Sequence, residues 1–226
     1  MKIALFGTGV VGQTLAQKLL ALGHDVAIGT RDPAATLAKS EPGPFGSPPF
    51  KDWAAQNPKV KLVTFADAAA HAEMAFNVLA GQAAVPTLSA VAVALEGKIL
   101  IDVANPLDFS RGMPPSLTVC NDDSLGEQIQ RVLPKTKVVK TLNTVNAYLM
   151  ANPGLVAGGD HTMFMSGNDA DAKATVAGFL REGFGWKDVV DLGDITTARG
   201  TEMYLPLWVR LFGALKSPMF NVKLVR

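Results

Sequence analysis

Lys2-Ile3-Ala4-Leu5-Phe6-Gly7-Thr8-Gly9-Val10-Val11-Gly12 decides how the rest of the chain is read. The apolar run Lys2 to Phe6 is a short buried strand. Val10 to Leu22 has helical spacing, with Val11, Leu15, Leu19 and Leu22 on one face, and Gly23 closes it. Gly7 and Gly9 therefore sit between a strand and a helix, and Gly12 lies in the first turn of that helix. In that setting Gly7 permits the tight turn, and Gly9 leaves room for a pyrophosphate against the backbone. Gly12 lets the helix approach the sheet. Free N–H groups at the helix start are suited to phosphate.

Working outward, strands and helices alternate. Asp25 to Ile28, Val60 to Phe65, Met74 to Leu79, Lys98 to Val103, Lys137 to Leu142, Thr162 to Ser166 and Asp188 to Leu192 read as strands. Ala66 to His71, Ala83 to Leu95, Ser124 to Leu133 and Ala170 to Arg181 read as helices between them, and Asp52 to Gln56 as one turn. Pro86 is placed in a first turn, where proline is tolerated. Ser124 with Glu127 forms a capping box. Pro42 to Pro49 reads as a loop, and the chain turns helical again from Thr196. The succession predicts an α/β fold, a Rossmann-like doubly wound and mostly parallel sheet with a small C-terminal α/β portion. The expected division is a dinucleotide-binding part over 1–144 and a smaller substrate-capping and dimerisation part over 145–226.

In such sheets ligands bind beyond the carboxyl ends of the strands. After the second strand stands Thr30-Arg31-Asp32, where NAD-binding chains usually carry an acidic residue. Thr30 and Arg31 are suited to a ribose 2′-phosphate, so NADP is preferred to NAD. Asp32, before Pro33, reads as a helix cap. Leu79, Ala80 and Gly81 follow the fourth strand and Asn105-Pro106 the fifth, all beside the expected cofactor. Asn143, Thr144 and Asn146 follow the sixth, beside Lys140. Of these, Asn143 and Thr144 are the expected substrate contacts.

Composition bounds the partners. Lys plus Arg is 21 and Asp plus Glu is 20, a net charge of +1, so nothing favours nucleic acid or an anionic membrane. Hydrophobic residues are 48% of the chain, enough for a sizeable core. Cys120 stands alone and reads as a small semi-buried residue. Polar residues interrupt the apolar start, and no tract is long enough to span a bilayer, so a cytoplasmic protein is expected. No metal-ligand cluster is apparent. His24, His71 and His161 are scattered, and neither Tyr148 nor Tyr204 has a lysine four residues on. No catalytic residue is assigned. A redox cofactor without a proton donor fits direct hydride exchange with a flavin-like ring.

The stretches Gly7 to Gly12 and Leu22 to Arg31 resemble the start of the deazaflavin (coenzyme F420)-dependent NADP oxidoreductases. The resemblance continues through Lys140 to Val145, Glu202 to Trp208 and Phe220 to Lys223. It implies hydride transfer between NADPH and a deazaflavin ring as co-substrate. It also implies phosphate contacts at Thr8, Gly9, Val10 and Val11, and 2′-phosphate contacts at Thr30 and Arg31. Relatives can carry a second basic residue soon after the arginine. Here Ala34, Ala35 and Thr36 occupy that stretch and Lys39 comes later. In the tail, Tyr204, Trp208, Leu211, Phe212 and Leu215 form an apolar helical stripe, which the resemblance favours as a homodimer surface. Two other functions remain open: reduction of a small imine or carbonyl, and a non-enzymatic NADP(H)-binding redox sensor.

Overall fold

The structure is a computed structural model, described for residues 1–41, 43 and 48–226. The proline-rich loop expected over 42–49 falls largely outside the described residues. One eight-stranded sheet organises the chain. In chain order its strands are β1 (Lys2–Phe6), β2 (Asp25–Thr30), β3 (Lys61–Thr64), β4 (Met74–Asn77) and β5 (Ile99–Asp102). β6 (Leu107–Asp108) and β7 (Ser116–Leu117) form a separate antiparallel hairpin. β8 (Lys137–Thr141), β9 (Thr162–Gly167) and β10 (Asp188–Asp191) return to the main sheet. Its spatial order is β10-β9-β8-β5-β4-β1-β2-β3. The six strands from β8 to β3 run parallel, and β9 lies antiparallel to β8 with β10 alongside it. The doubly wound, mostly parallel arrangement expected from the sequence is the one observed.

β1 shows why its residues are apolar throughout rather than alternating. Ile3 and Leu5 enter one core, Ala4 and Phe6 the other, and all four are fully buried. The first core is covered by α1 (Val10–Ala21), α8 (Ala147–Ala151) and α9 (Ala170–Phe179), through residues such as Leu15, Leu149 and Val176. The second is covered by α4 (Phe65–His71), α5 (Gly81–Ser89) and α7 (Leu125–Val132), through Ala68, Leu88 and Ile129. The short helices α2 (Pro33–Ala38), α3 (Phe50–Gln56) and α6 (Ala92–Leu95) fill the crossovers, and α10 (Ala198–Met203) and α11 (Leu205–Leu215) close the chain.

Three expectations are corrected. The helix expected over Ala83–Leu95 is two helices, α5 and α6. Pro86 lies inside α5, not in its first turn. A proline there removes one backbone hydrogen bond, and the helix ends three residues later. Cys120 is exposed, not semi-buried. The hairpin of β6 and β7 had no sequence signal, because two-residue strands carry no usable alternation.

Candidate functional site

Gly7 has φ +129° and its N–H donates to the Gly29 carbonyl at 3.2 Å, which folds the chain over the end of the sheet. A Cβ at Gly7 would stand 2.8 Å from the Val78 carbonyl oxygen, and one at Gly12 only 2.3 Å from the Gly7 carbonyl oxygen. Both positions therefore admit only glycine without rearrangement. Gly9 differs: a Cβ there would meet nothing within 4 Å. It is the N-cap of α1, no side chain caps it, and the first turn of α1 holds no acidic residue. A glycine-lined opening over an uncapped helix N-terminus is a cradle that fits a phosphate.

Two clefts meet beside this turn. One, of about 380 Å³, is bordered by Thr8, Gly9, Gln13, Thr30, Lys39 and Glu41. The other, of about 320 Å³, is bordered by Thr30, Arg31, Asp32, Lys39, Leu79 and Thr87. Thr30 Oγ1 lies 2.8 Å from Thr36 Oγ1. Asp32 caps α2, its carboxylate accepting from the Ala35 N–H at 2.9 Å, so its charge is engaged with backbone. Arg31 precedes α2 and Lys39 follows it, and both border the second cleft. Lys39 follows Ala38 at the end of α2, which brings it to the cleft.

A larger cavity, about 520 Å³, opens at the carboxyl ends of β4, β5 and β8. Its wall includes Val11, Leu79, Ala80, Ala104, Asn105 and Asn146. The β6–β7 hairpin covers one side through Asp108, Phe109 and Ser110. Leu79 borders this cavity and the cleft beside Arg31, which joins the two along one groove. Gly81 holds the groove close: a Cβ there would stand 2.2 Å from the Asn105 carbonyl oxygen.

The remaining expected residues are placed as follows. Asn105 and Asn143 pair with each other, Asn105 Nδ2 donating to the Asn143 carbonyl at 2.9 Å and Asn143 Nδ2 to Asn105 Oδ1 at 3.0 Å. Asn143 and Thr144 are buried, and the next residues, Val145 and Asn146, face the cavity. Pro106 is buried, its carbonyl accepting from the Thr118 N–H at 2.8 Å. Val10 is partly exposed on α1. Leu142, at the turn after β8, has φ +64°, a backbone conformation that costs a branched residue about 1–3 kcal/mol. His161 is buried between the Pro153 carbonyl and Asn221, while Asp160 pairs with Lys223, so the two form no catalytic pair.

Beneath the cavity lies a buried polar network for which local sequence patterns offer little warning. Lys140 Nζ donates to Asp102 Oδ2 at 2.9 Å, to Glu202 Oε1 at 2.8 Å and to the Ala104 carbonyl. Asp102 Oδ1 accepts from Asn77 Nδ2 at 2.8 Å and from the Ala104 N–H at 3.1 Å. Glu202 accepts from the Leu125 and Gly126 N–H groups at 2.8 and 3.0 Å, at the N-terminus of α7. Burial disfavours the Lys140 ammonium, yet Asp102 and Glu202 more than offset it and raise its pKa above the ordinary lysine value. The available signal was Asn77, Asp102 and Lys140 inside otherwise apolar strands.

The comparisons with known proteins agree with this architecture. Residues 2–106 match the family model described as NADP oxidoreductase, coenzyme F420-dependent. The chain is 30% identical over 215 residues to the F420-dependent NADP reductase of Methanothermobacter marburgensis, covering 93% of this chain and 92% of that one. It is 28% identical to rat metalloreductase STEAP3 over 92% of its own length, and spans only 38% of that longer protein. A crystal structure from Arthrobacter sp. FB24, provisionally assigned as an F420-dependent NADP reductase, is 59% identical with TM-score 0.95 over the whole of both chains. A reductive aminase from Aspergillus terreus, 17% identical with TM-score 0.60, shares the fold over 95% of this chain and 62% of its own.

Proposed function

The chain belongs to the coenzyme F420-dependent NADP oxidoreductases, and from that premise we propose that it passes a hydride between NADPH and a flat deazaflavin or flavin-like ring. When bound, NADPH supplies the hydride; the residues of this chain hold and orient it. In this reading Thr8, Gly9, Val10 and Val11 receive the pyrophosphate at the start of α1, over Gly7 and Gly12. Thr30 and Arg31 receive the 2′-phosphate, with Lys39 added to them. Leu79, Ala80, Asn105 and Pro106 shape the passage toward the large cavity, and Asn143 and Thr144 support the acceptor side by fixing Asn105 and the turn that presents Asn146.

One observation carries the choice of acceptor. Among the described residues bordering the large cavity, Asp108 is the only ionisable one. Hydrogen bonds from the Ser110 backbone and hydroxyl hold its pKa below the ordinary carboxylate value. It stays a carboxylate near neutral pH and is a poor acid. Reducing an imine or carbonyl calls for a proton donor at the reacting atoms, whereas a ring acceptor takes its proton from solvent. The test mixes protein, NADPH and an oxidised deazaflavin or flavin and follows both absorbances. Loss of the two in equal amounts supports the proposal. Turnover of a cyclic imine in place of any ring acceptor would instead favour the imine reading. Tight NADPH binding without turnover of either acceptor would favour a sensor.

The part over 145–226 is assigned to closing the site. Val145, Asn146, Ala147 and Met150 border the cavity, and Asn146 Nδ2 donates to the Pro218 carbonyl of the C-terminal tail. The same part is assigned to a homodimer. Leu207, Phe212 and Leu215 of α11 are exposed, and beside them the Tyr204 hydroxyl and Trp208 indole N–H are buried with no hydrogen-bond partner among the described residues.

A further inference from the structure

The Lys140 network joins two buried carboxylates to one ammonium. Asp102 and Glu202 are essentially inaccessible to water, as is Lys140. The N-terminus of α7, to which Glu202 is hydrogen-bonded, returns about half a positive charge. The network as a whole keeps a negative excess, and Glu202 is the carboxylate in excess of the Asp102–Lys140 pair.

The Asp102–Lys140 end of the network sits against the cavity, and Glu202 joins it through Lys140. Ala104, which borders the cavity, gives its carbonyl to Lys140 and its N–H to Asp102. Leu79, which borders it from the other side, gives its N–H to Asn77 Oδ1 at 3.3 Å, and Asn77 in turn donates to Asp102. Solvent does not intervene between the charges and these backbone groups, so screening is weak.

We propose that Glu202 and Asp102 place a buried negative charge under the cofactor cavity that strengthens the binding of NADP+ relative to NADPH. The inference rests on the reading that the nicotinamide end of the cofactor occupies the large cavity. The nicotinamide ring is cationic in NADP+ and neutral in NADPH, so a fixed negative charge stabilises the oxidised ring selectively. The same charge favours departure of the hydride toward the acceptor, because that departure creates the positive ring. Glu202 touches neither reactant in this account; it is a positioning residue for charge, as well as a brace between α7, α10 and β8.

A brace and a charge are separable by experiment. The dissociation constants of NADP+ and NADPH are measured by calorimetry on the full chain, its Glu202→Gln form and a Glu127→Gln control. Glu127 is also buried and ion-paired, with Arg199 at 2.6 Å, but borders a different depression. In Glu202→Gln the ratio of the NADP+ to the NADPH constant rises at least about threefold, as loss of a weakly screened unit charge requires. In Glu127→Gln it does not move. An unchanged ratio in Glu202→Gln, or the same rise in both variants, overturns the proposal. If Glu202→Gln does not fold, Asp102→Asn decides, with the same rise expected and an unchanged ratio overturning it. Ala80→Trp separates failure of the underlying reading. Its side chain would fill the cavity from an exposed wall position. Unchanged NADPH affinity in that variant removes the nicotinamide from the cavity and the inference with it. Weakened NADPH binding there, with an unmoved ratio in Glu202→Gln, sinks only the charge effect.

Discussion

Arg31 and Lys39 flank α2, so one six-residue helix sets two cations on the cleft beside Thr30. Arg31→Ala should therefore lower NADPH affinity by about 1–3 kcal/mol, typical of a charged hydrogen bond, with little change for NADH. Calorimetry with both nucleotides checks this; equal losses for the two would remove Arg31 from the 2′-phosphate. Asp32 was legible because capping is local: it is the helix cap that its position before Pro33 suggested. Glu202 was not legible in this sense. It reaches Leu125 across 77 positions of sequence, a distance only the fold closes. The Arg131 guanidinium holds Asp123 down to about 2. In the unfolded chain its pKa is about 3.9. The folded value is the lower one, so the pair's contribution is complete above about pH 5 and is lost progressively as pH falls from there through about 2. Melting temperature against pH should decline through that window, and less steeply in Asp123→Asn. Identical profiles would show that the pair contributes nothing measurable.

At the scale of elements, the inner parallel strands β1, β4 and β5 announced themselves as nearly continuous apolar runs, since each is buried on both faces. The loops that carry the site did not. The β6–β7 hairpin is too short to pattern, and Pro86 inside α5 contradicts the helix rule that located it. The antiparallel setting of β9 depends on how the long connection from Leu142 to Asp160 crosses the sheet end, which no local periodicity encodes. The glycine turn offers the sharpest test at this level. Gly12→Ala puts a methyl against the Gly7 carbonyl and should cost about 1–3 kcal/mol by overpacking, read as a lower denaturation midpoint, along with weaker NADPH binding. Wild-type stability in that variant would mean the turn and α1 are not as closely packed as described. Gly9→Ala meets open space and should fold normally while weakening the nucleotide alone.

For the whole molecule, the C-terminal portion is not a separate lobe beside the sheet: β9 and β10 extend the same eight strands. Its tail then returns, with the Thr162 N–H donating to the Val222 carbonyl at 3.0 Å and Asn146 bonded to Pro218. The proposed site is thus built by both ends of the chain around one sheet. Light scattering should give a dimer, and Leu207→Lys with Leu215→Lys should shift it to monomer; a wild-type monomer at high concentration would end the dimer assignment. The proposed reaction is direct hydride transfer from NADPH to a ring acceptor across the large cavity. NADPH deuterated separately at each of the two C4 positions, turned over with oxidised deazaflavin, tests it most directly by mass spectrometry of the reduced ring. Deuterium should appear in the reduced ring from one of the two NADPH forms and not from the other. Turnover with no deuterium in the ring from either form would contradict direct hydride transfer.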